Sequence, residues 1–340
     1  MRRTIIRALL FIGIIVFAPS LAAGAAPAAT PLTIREGWVS MTNVLSPMVF
    51  AKTDIMKQYG KSYTVEPVRF TGTSAELTAL ASGEVDFITI AYSSLGVAIE
   101  NAHLDDLRVV ADGFQDGASG YLSSPYLVRN DSGIKTVEDL KGKVVGVNVI
   151  GAAVDLAARA MLREHHLEAS RDYTVVEAPF PTIGAMLLQH KADLISDVPP
   201  FIYDPKLAAE THVLFTMKDA IGTSQMIVLA TRAEFLAKHR AALDDFFADM
   251  LRGIHWILAP ANRPAAIALA ARLSKLPPQR LSVYFLTQKD YYHNPQGLPD
   301  LAALQHDIDN QHRLGFLKAA FDVRKYADLS FIERAARRVK

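Results

Sequence analysis

The chain of 340 residues contains no cysteine. This absence excludes disulfide bonds, thiolate metal sites, a cysteine nucleophile and an N-terminal cysteine that could carry a lipid. An excess of charge of either sign is also missing, because 36 Lys and Arg stand against 35 Asp and Glu. No basic surplus therefore indicates nucleic acid. We expect no metal, no cofactor and no nucleic-acid partner.

Long hydrophobic runs are scarce. The best candidate beyond the N-terminal region, 251–271, is interrupted by two arginines, a histidine and two prolines. The other apolar run, 8–18, follows Arg2, Arg3 and Arg7 and precedes a stretch of small residues. At well under the roughly 20 residues that span a bilayer, it has the pattern of a cleavable secretory signal. We predict that residues 1–25 are a signal peptide and that the mature protein is periplasmic.

Strands alternate with helices through the first two-thirds of the chain, and helices dominate after residue 230. The hydrophobic patterns predict strands at 32–39, 64–70, 85–90, 143–149, 173–176 and 192–195. They predict helices at 50–59, 73–83, 134–140, 152–165, 182–189 and 233–258, with further helices to the C-terminus. This order predicts an α/β fold with mostly parallel sheets flanked by helices and a helical C-terminal region.

Two segments of the chain predict the same order of local structure. Residues 79–87 and 186–194 each predict the end of a helix, a short turn, an aspartate and a buried strand. The turn contains Gly83 in the first segment and His190 in the second, so either a left-handed residue or a longer turn is expected at His190. A repeated unit of this kind is what a protein with two similar lobes would show.

The start of one predicted helix carries a polar motif. Thr73 and Glu76 have the spacing of a capping box, in which each side chain bonds the backbone N–H of the other residue. Free N–H groups and the helix dipole also make such a start an anion site. Gly72 would let the backbone approach a ligand. Thr73 therefore either caps the helix or binds ligand, and the two roles are compatible.

Enzyme motifs are not found. His165 and His166 are consecutive on a helix and cannot chelate one metal together. The segment 117–120 lacks the spacing of a nucleophile elbow. Gly142 and Lys143 lack the rest of a P-loop. The sequence predicts no catalytic residues.

The segment 132–147, SGIKTVEDLKGKVVGV, resembles the corresponding segment of bacterial type II solute-binding proteins. Together with TGTSAELTALASGEVDF at 71–87, it makes the chain similar to the nitrate-, sulfonate- and taurine-binding and thiamine-precursor-binding group of ABC-transporter components, the NMT1/THI5-like group. The enzyme branch of that group is linked to a cysteine-rich iron motif, which this chain lacks.

The resemblance implies a two-lobed fold of the periplasmic-binding-protein type II class that closes over its ligand by a hinge motion. Lobe 1 would contain 32–122 and 225–340, and lobe 2 would contain 123–224. The implied function is the solute-binding component of an ABC importer, a monomer that delivers ligand to membrane permease subunits.

Ligands of open α/β sheets bind beyond the carboxyl ends of the strands. The candidate ligand-binding residues of lobe 1 are Trp38, Ser40, Met41, Thr42, Gly72, Thr73, Ser74, Tyr92, Ser93, Ser94 and Tyr121. Those of lobe 2 are Asn148, Gly151, Ala152, Ala153, Asp155, Asp197 and Pro199.

These residues predict a small organic anion as ligand, a sulfonate, carboxylate or aromatic acid. Asp155, expected to face the cleft, would repel a second anionic group. The alternatives that stay open are a thiamine-type pyrimidine or other polar heterocycle, and a periplasmic enzyme or sensor partner on the same scaffold.

Overall fold

The computed structural model describes residues 30–39, 43–70, 72–101 and 104–339. The predicted signal peptide lies outside these residues. In chain order the strands are β1 (Leu32–Trp38), β2 (Tyr63–Arg69), β3 (Phe87–Ala91), β4 (Leu107–Asp116), β5 (Pro125–Arg129), β6 (Val144–Val147), β7 (Thr174–Glu177), β8 (Leu194–Ser196), β9 (Thr211–Thr216) and β10 (Ser224–Arg232). The predicted α/β class is confirmed.

Helices cover both sheets. They are α1 (Ser46–Val49), α2 (Thr73–Ser82), α3 (Tyr92–Asn101), α4 (Ala153–Glu164), α5 (Phe180–Leu188), α6 (Pro205–Glu210), α7 (Met217–Ile221), α8 (Ala233–Lys238), α9 (Arg240–Leu258), α10 (Arg263–Ser274), α11 (Pro278–Ser282), α12 (Leu301–Arg313) and α13 (Ser330–Arg338). Among the described residues, none of these helices is long and apolar enough to cross a membrane.

The two five-stranded sheets have matching topologies. The first sheet has the order β2-β1-β3-β10-β4 and the second β7-β6-β8-β5-β9. In the first, β1 pairs in parallel with β2 and β3, while β10 is antiparallel to β3 and β4. In the second, β6 is parallel to β7 and β8, while β5 is antiparallel to β8 and β9. Four of the five strands in each sheet therefore run in one direction.

The chain passes between the sheets twice. It leaves the first sheet after β4 and enters the second at β5, and it returns from β9 through α7 to β10. In each sheet the arriving strand is the antiparallel one. The lobe boundaries drawn from the sequence, 32–122 with 225–340 and 123–224, stay a prediction.

Several elements differ from the sequence prediction. The segment 50–59 was expected to be a helix, but it contains only a turn of 3₁₀ helix at Thr53–Ile55. The segment 134–140 likewise forms a 3₁₀ turn only at Glu138–Leu140. The long strands β4 and β10 were not predicted at all. β4 has a glycine and several polar and charged residues in its apolar pattern, and β10 has polar residues and an arginine in its own, so no simple alternation marks either strand.

The repeated turn has the predicted backbone in both copies. Gly83 ends α2 with φ +76°, and His190 follows α5 with φ +60°. Of the two alternatives for His190, the structure has the left-handed residue and not a longer turn. A left-handed residue after each helix directs the chain back into a buried strand, β3 in the first sheet and β8 in the second.

The buried side chains form three clusters. One cluster is shared by the facing sides of the sheets and contains Ile90, Leu95, Val147 and Leu156. A second lies between the first sheet and the C-terminal helices, and the third lies between the second sheet and α5. The shared cluster fixes the starts of α3 and α4 against one another.

Close packing of α9 on α1 depends on Gly253. A Cβ at this position would lie 2.5 Å from Val49 Cγ1, and Val49 is fully buried. We expect Gly253→Ala to lower the free energy of unfolding. Overpacking costs about 1–3 kcal/mol, and it offsets the gain of about 1 kcal/mol that alanine brings to a helix.

Urea unfolding of Gly253→Ala, Val49→Ala and the double variant measures this effect. The double variant should be less destabilised than the sum of the single variants, because Val49→Ala opens the space that the new methyl group needs. A Gly253→Ala variant more stable than the original protein would contradict the packing argument.

Candidate functional site

The parallel strands of both sheets end close to helix starts. In the first sheet β1 ends at Trp38 and β3 at Ala91, where α3 begins directly at Tyr92. In the second sheet β6 ends at Val147 and α4 begins at Ala153. The candidate ligand residues follow these strand ends.

The start of α2 does not form the predicted capping box. Gly72 is the N-cap residue, and no side chain caps the helix. The Thr73 hydroxyl lies 2.8 Å from the Ser94 hydroxyl of α3 instead. Glu76 turns inward and accepts hydrogen bonds from the Thr89 backbone N–H and hydroxyl, both at 3.3 Å. The prediction of a capping box is therefore wrong. Among the described residues, no side chain caps the first N–H groups of α2.

The starts of α3 and α4 meet through a buried hydrogen bond. The Tyr92 hydroxyl donates to the Ala153 carbonyl at 3.2 Å. On the second sheet, the Tyr126 hydroxyl donates to the adjacent Val154 carbonyl at 2.5 Å. Ser93 is buried, and its carbonyl accepts from the Gln311 side chain of α12. The structure thus joins Thr73 to Ser94 and Tyr92 to Ala153, and Tyr92 and Ser94 both lie in the first turn of α3.

Two buried carboxyl groups lie at the end of β1. Glu36 is 1% exposed and Glu76 is 0% exposed. Burial raises the pKa of Glu36 to about 7, partly offset by Ser46. Burial raises the pKa of Glu76 to about 8, and the neighbouring Glu36 adds to the rise. The missing side chain of Gly37 leaves room for Glu76, because a Cβ there would lie 3.4 Å from its Oε1.

Asp155 does not stand free in a cleft as the sequence analysis expected. It is 1% exposed, and its Oδ2 accepts from the Gly151 N–H and from Arg159 Nε, both at 2.8 Å. The i, i+4 spacing on α4 explains the contact with Arg159. This pairing reduces the repulsion of an anion that the sequence analysis attributed to Asp155.

The remaining loop of the second sheet follows β8. Asp197 is buried, and its Oδ1 accepts from the N–H of the next residue, Val198. Burial raises the pKa of Asp197 to about 8. Pro199 is also buried, and its peptide bond to Pro200 is cis.

The other candidates are dispersed. Trp38 is 7% exposed, and the Arg69 guanidinium lies 5.5 Å from its ring centre. Tyr121 packs edge-on against Tyr292 in the segment between the sheets. Ser74 is exposed. The predicted residues Ser40, Met41 and Thr42 lie outside the described residues. A side chain at Gly72 would meet open space, and Ala152 is the uncapped N-cap of α4.

Three side chains near the helix starts were not predicted from the sequence. Arg159 could have been found from its spacing to Asp155. Glu36 could have been noticed as a charge within a buried strand. Phe316, whose ring lies 5.4 Å from the Arg159 guanidinium and next to Gly151, carries no local signal because it comes from a loop after α12.

A separate small cavity lies between α1, α9 and the middle of the first sheet. Ser46, Thr89, Asp112 and His293 are among its lining residues, and its volume is about 20 Å³. That space holds one or two waters and no organic ligand. The described residues contain no group of three or more His, Cys, Asp or Glu side chains suited to a metal ion.

The sequence model described as NMT1/THI5 like matches residues 71–263. No curated protein matches the chain in sequence.

Solved structures share the fold at low sequence identity. The periplasmic aliphatic sulphonate-binding protein SsuA from Escherichia coli is 20% identical, with a TM-score of 0.68 over 87% of this chain and 92% of that one. The periplasmic nitrate-binding protein NrtA from Synechocystis is 13% identical, with a TM-score of 0.70 over 91% and 89%. The desulfurization enzyme DSZB is 12% identical, with a TM-score of 0.68 over 91% and 100%. At these identities the likeness concerns the fold.

The raised pKa of Glu76 predicts a pH-dependent stability. The folded protein keeps this proton up to a pKa of about 8, whereas the ordinary value is 4.5. The folded state therefore binds more protons between these values, and the free energy of unfolding falls as pH rises through them. Glu76→Gln is neutral throughout. We expect its gain in melting temperature over the original protein to be larger at pH 8 than at pH 5.

Glu84→Gln is the matched control, because Glu84 is exposed just beyond the end of α2. Its effect on the melting temperature should be the same at both pH values. An equal effect of Glu76→Gln at pH 5 and pH 8 would show that Glu76 is already ionised in the folded protein at pH 5.

Proposed function

Because the chain belongs to the NMT1/THI5-like family, we propose that it is the periplasmic solute-binding component of an ABC importer and that it captures a small organic anion. The ligand is a sulfonate, a carboxylate or an aromatic acid. Two of the proteins with the same fold are named as periplasmic binding proteins for sulphonate and nitrate. The expected signal peptide and periplasmic location belong to the same proposal.

The observation that carries this proposal is the meeting of three helix starts. The Thr73–Ser94 contact joins α2 to α3, and the Tyr92–Ala153 hydrogen bond joins α3 to α4. Neither α2 nor α4 has a side-chain cap. Their first N–H groups and positive dipole ends therefore favour a negative group of a ligand.

The hydroxyl groups near these starts suit the same ligand. In the Thr73–Ser94 pair one hydroxyl donates to the other, which leaves one O–H free to donate a hydrogen bond to an oxyanion. Such hydrogen bonds to a charged group are stronger than neutral ones. Burial keeps Glu36 and Glu76 neutral over part of the pH range. They therefore repel an anion less than ionised carboxylates would.

The double passage of the chain between the sheets supports a hinge. Residues 117–124 and 217–223 connect β4 to β5 and β9 to β10. Rotation about two such connections opens and closes a cleft between lobes, which is a recognised type of domain closure. We propose that the closed, liganded monomer is the form that the permease subunits recognise.

A thermal-shift screen of the purified protein tests the proposal. Alkanesulfonates, short carboxylates and benzoates at a hundredfold excess over Kd should stabilise the fold by about 2.7 kcal/mol. The bound compound should be recovered unchanged. Turnover of the compound would favour an enzyme on this scaffold, and no shift with any anion would contradict the proposal.

The double variant Thr73→Ala, Ser94→Ala tests the location. We expect Kd for the best anion to rise about 10- to 100-fold, because hydrogen bonds to a charged group are worth about 1.5–3 kcal/mol. Thr78→Ala is the control, since Thr78 is exposed on the same helix and bonds only the Ser74 carbonyl. Isothermal titration gives each Kd. Equal Kd values of the double variant and the control would show that the anion does not bind at the starts of α2 and α3.

A further inference from the structure

The loop after α12 has a direction that is fixed by the end of that helix. Gly315 has φ +82°. Its N–H donates to the His312 carbonyl, and the Phe316 N–H donates to the Gln311 carbonyl, which together form a Schellman helix end. Because α12 packs on β10 and α3 of the first sheet, the position of Phe316 is set from that side of the molecule.

The same loop is also bonded to α3. Glu100 Oε1 accepts the Lys318 N–H at 2.7 Å and the Ala319 N–H at 3.2 Å. Leu317, which comes just before Lys318, is 3% exposed. The loop therefore moves together with α3 and α12.

Phe316 packs against a helix of the other sheet. Its ring centre lies 5.4 Å from Arg159 Cζ of α4, which follows β6, and a Cβ at Gly151 would lie 3.7 Å from its Cε1. The Arg159 guanidinium is held in place, because its Nε donates to Asp155 Oδ2 at 2.8 Å. A guanidinium over an aromatic ring is an attractive cation–π contact. This contact joins the loop after α12 to the second sheet.

Arg163, one turn further along α4, makes a second contact with the same region. Its Nη1 donates to the carbonyl of Arg313, the last residue of α12, at 3.3 Å. A cation at the C-terminal end of a helix interacts favourably with the helix dipole. The two contacts together span a full turn of α4.

Both contacts are partly open to solvent. Phe316 is half-buried, and the side chains of Arg159 and Arg163 are 19% and 42% exposed. Cation–π contacts and ion pairs at such positions are weak. They can therefore break and form again without unfolding of the core beneath them.

We propose that Phe316 and the Arg313 carbonyl form a latch on α4 that holds the closed form and slows the release of ligand. The inference rests on the proposed function and its hinge, and it adds residues that set affinity without binding the anion. The loop is fixed to the first sheet and α4 follows a strand of the second, so rotation of one sheet away from the other pulls these contacts apart. A less stable closed form releases ligand faster, while capture by the open form is unchanged.

Distances between two spin labels test the latch without any ligand. The chain has no cysteine, so Glu84→Cys and Lys191→Cys place one label on each lobe. Both residues are exposed, and each lies three residues before the central strand of its sheet. We expect Phe316→Ala to raise the ratio of longer to shorter distances in double electron–electron resonance about two- to fivefold, the range of an exposed cation–π contact.

Phe321→Ala is the matched control for this measurement. Phe321 is half-buried in the same C-terminal segment, and its ring packs on Tyr326. Its distance ratio should be that of the original protein. If Phe316→Ala does not fold, Arg163→Met decides, because it keeps the length of the side chain and removes the donor to Arg313.

Binding kinetics give a second readout. Stopped-flow fluorescence with ethanesulfonate and with benzoate yields the on- and off-rates of each protein. We expect the off-rate of Phe316→Ala to rise about two- to fivefold while its on-rate stays the same. A loss of fold stability alone would lower the melting temperature without this split between the two rates.

The outcomes separate the latch from the proposed function. A distance ratio or an off-rate that changes no more in Phe316→Ala than in Phe321→Ala would overturn the latch. If neither anion binds to any of the proteins, the proposed function fails, and the distance ratio alone decides whether the contact holds the two lobes together.

Discussion

The buried hydrogen bond from the Tyr92 hydroxyl to the Ala153 carbonyl joins the first residues of two helices that belong to different sheets. Each helix begins just beyond the end of a parallel strand. The bond therefore brings the carboxyl ends of both sheets to one place, where the first N–H groups of α2 and α4 and the hydroxyls of Thr73 and Ser94 are also found. The candidate site depends on that arrangement.

Burial strongly affects the charge of the carboxyl groups near the helix starts. Glu36, Glu76 and Asp197 are almost fully buried and have raised pKa values, of about 7, 8 and 8. Asp155 is equally buried but has Arg159 and the Gly151 N–H as partners. The carboxyl groups near the helix starts are therefore either neutral over part of the pH range or paired. An anionic group at the helix starts then meets less opposing charge than the number of carboxylates suggests.

The α/β order, the repeated turn and the starts of α2 and α4 could be predicted from the sequence because they rest on short-range patterns, whereas residues 92–94 were interpreted as a loop and form the start of α3. Gly83 and His190 mark equivalent turns, and the structure gives both the left-handed backbone. The strands β4 and β10 were missed because polar and charged residues interrupt their apolar pattern, and they form by pairing with each other across more than 100 residues of the chain. The segment 50–59 was read as a helix from its composition, yet packing against α9 leaves only a 3₁₀ turn there.

The sequence by itself determined the class of fold, the family resemblance and which loops follow the strand ends. It did so because strand and helix periodicity and turn residues are local properties of the chain. Only the tertiary structure decided what those loops present. Glu76 accepts from Thr89 instead of from the backbone of Thr73, and the Thr73 hydroxyl contacts the Ser94 hydroxyl. Asp155 pairs with Arg159 and Gly151 instead of standing free in a cleft. Hydrogen-bond partners of buried groups depend on elements far apart in sequence, and no local pattern encodes them.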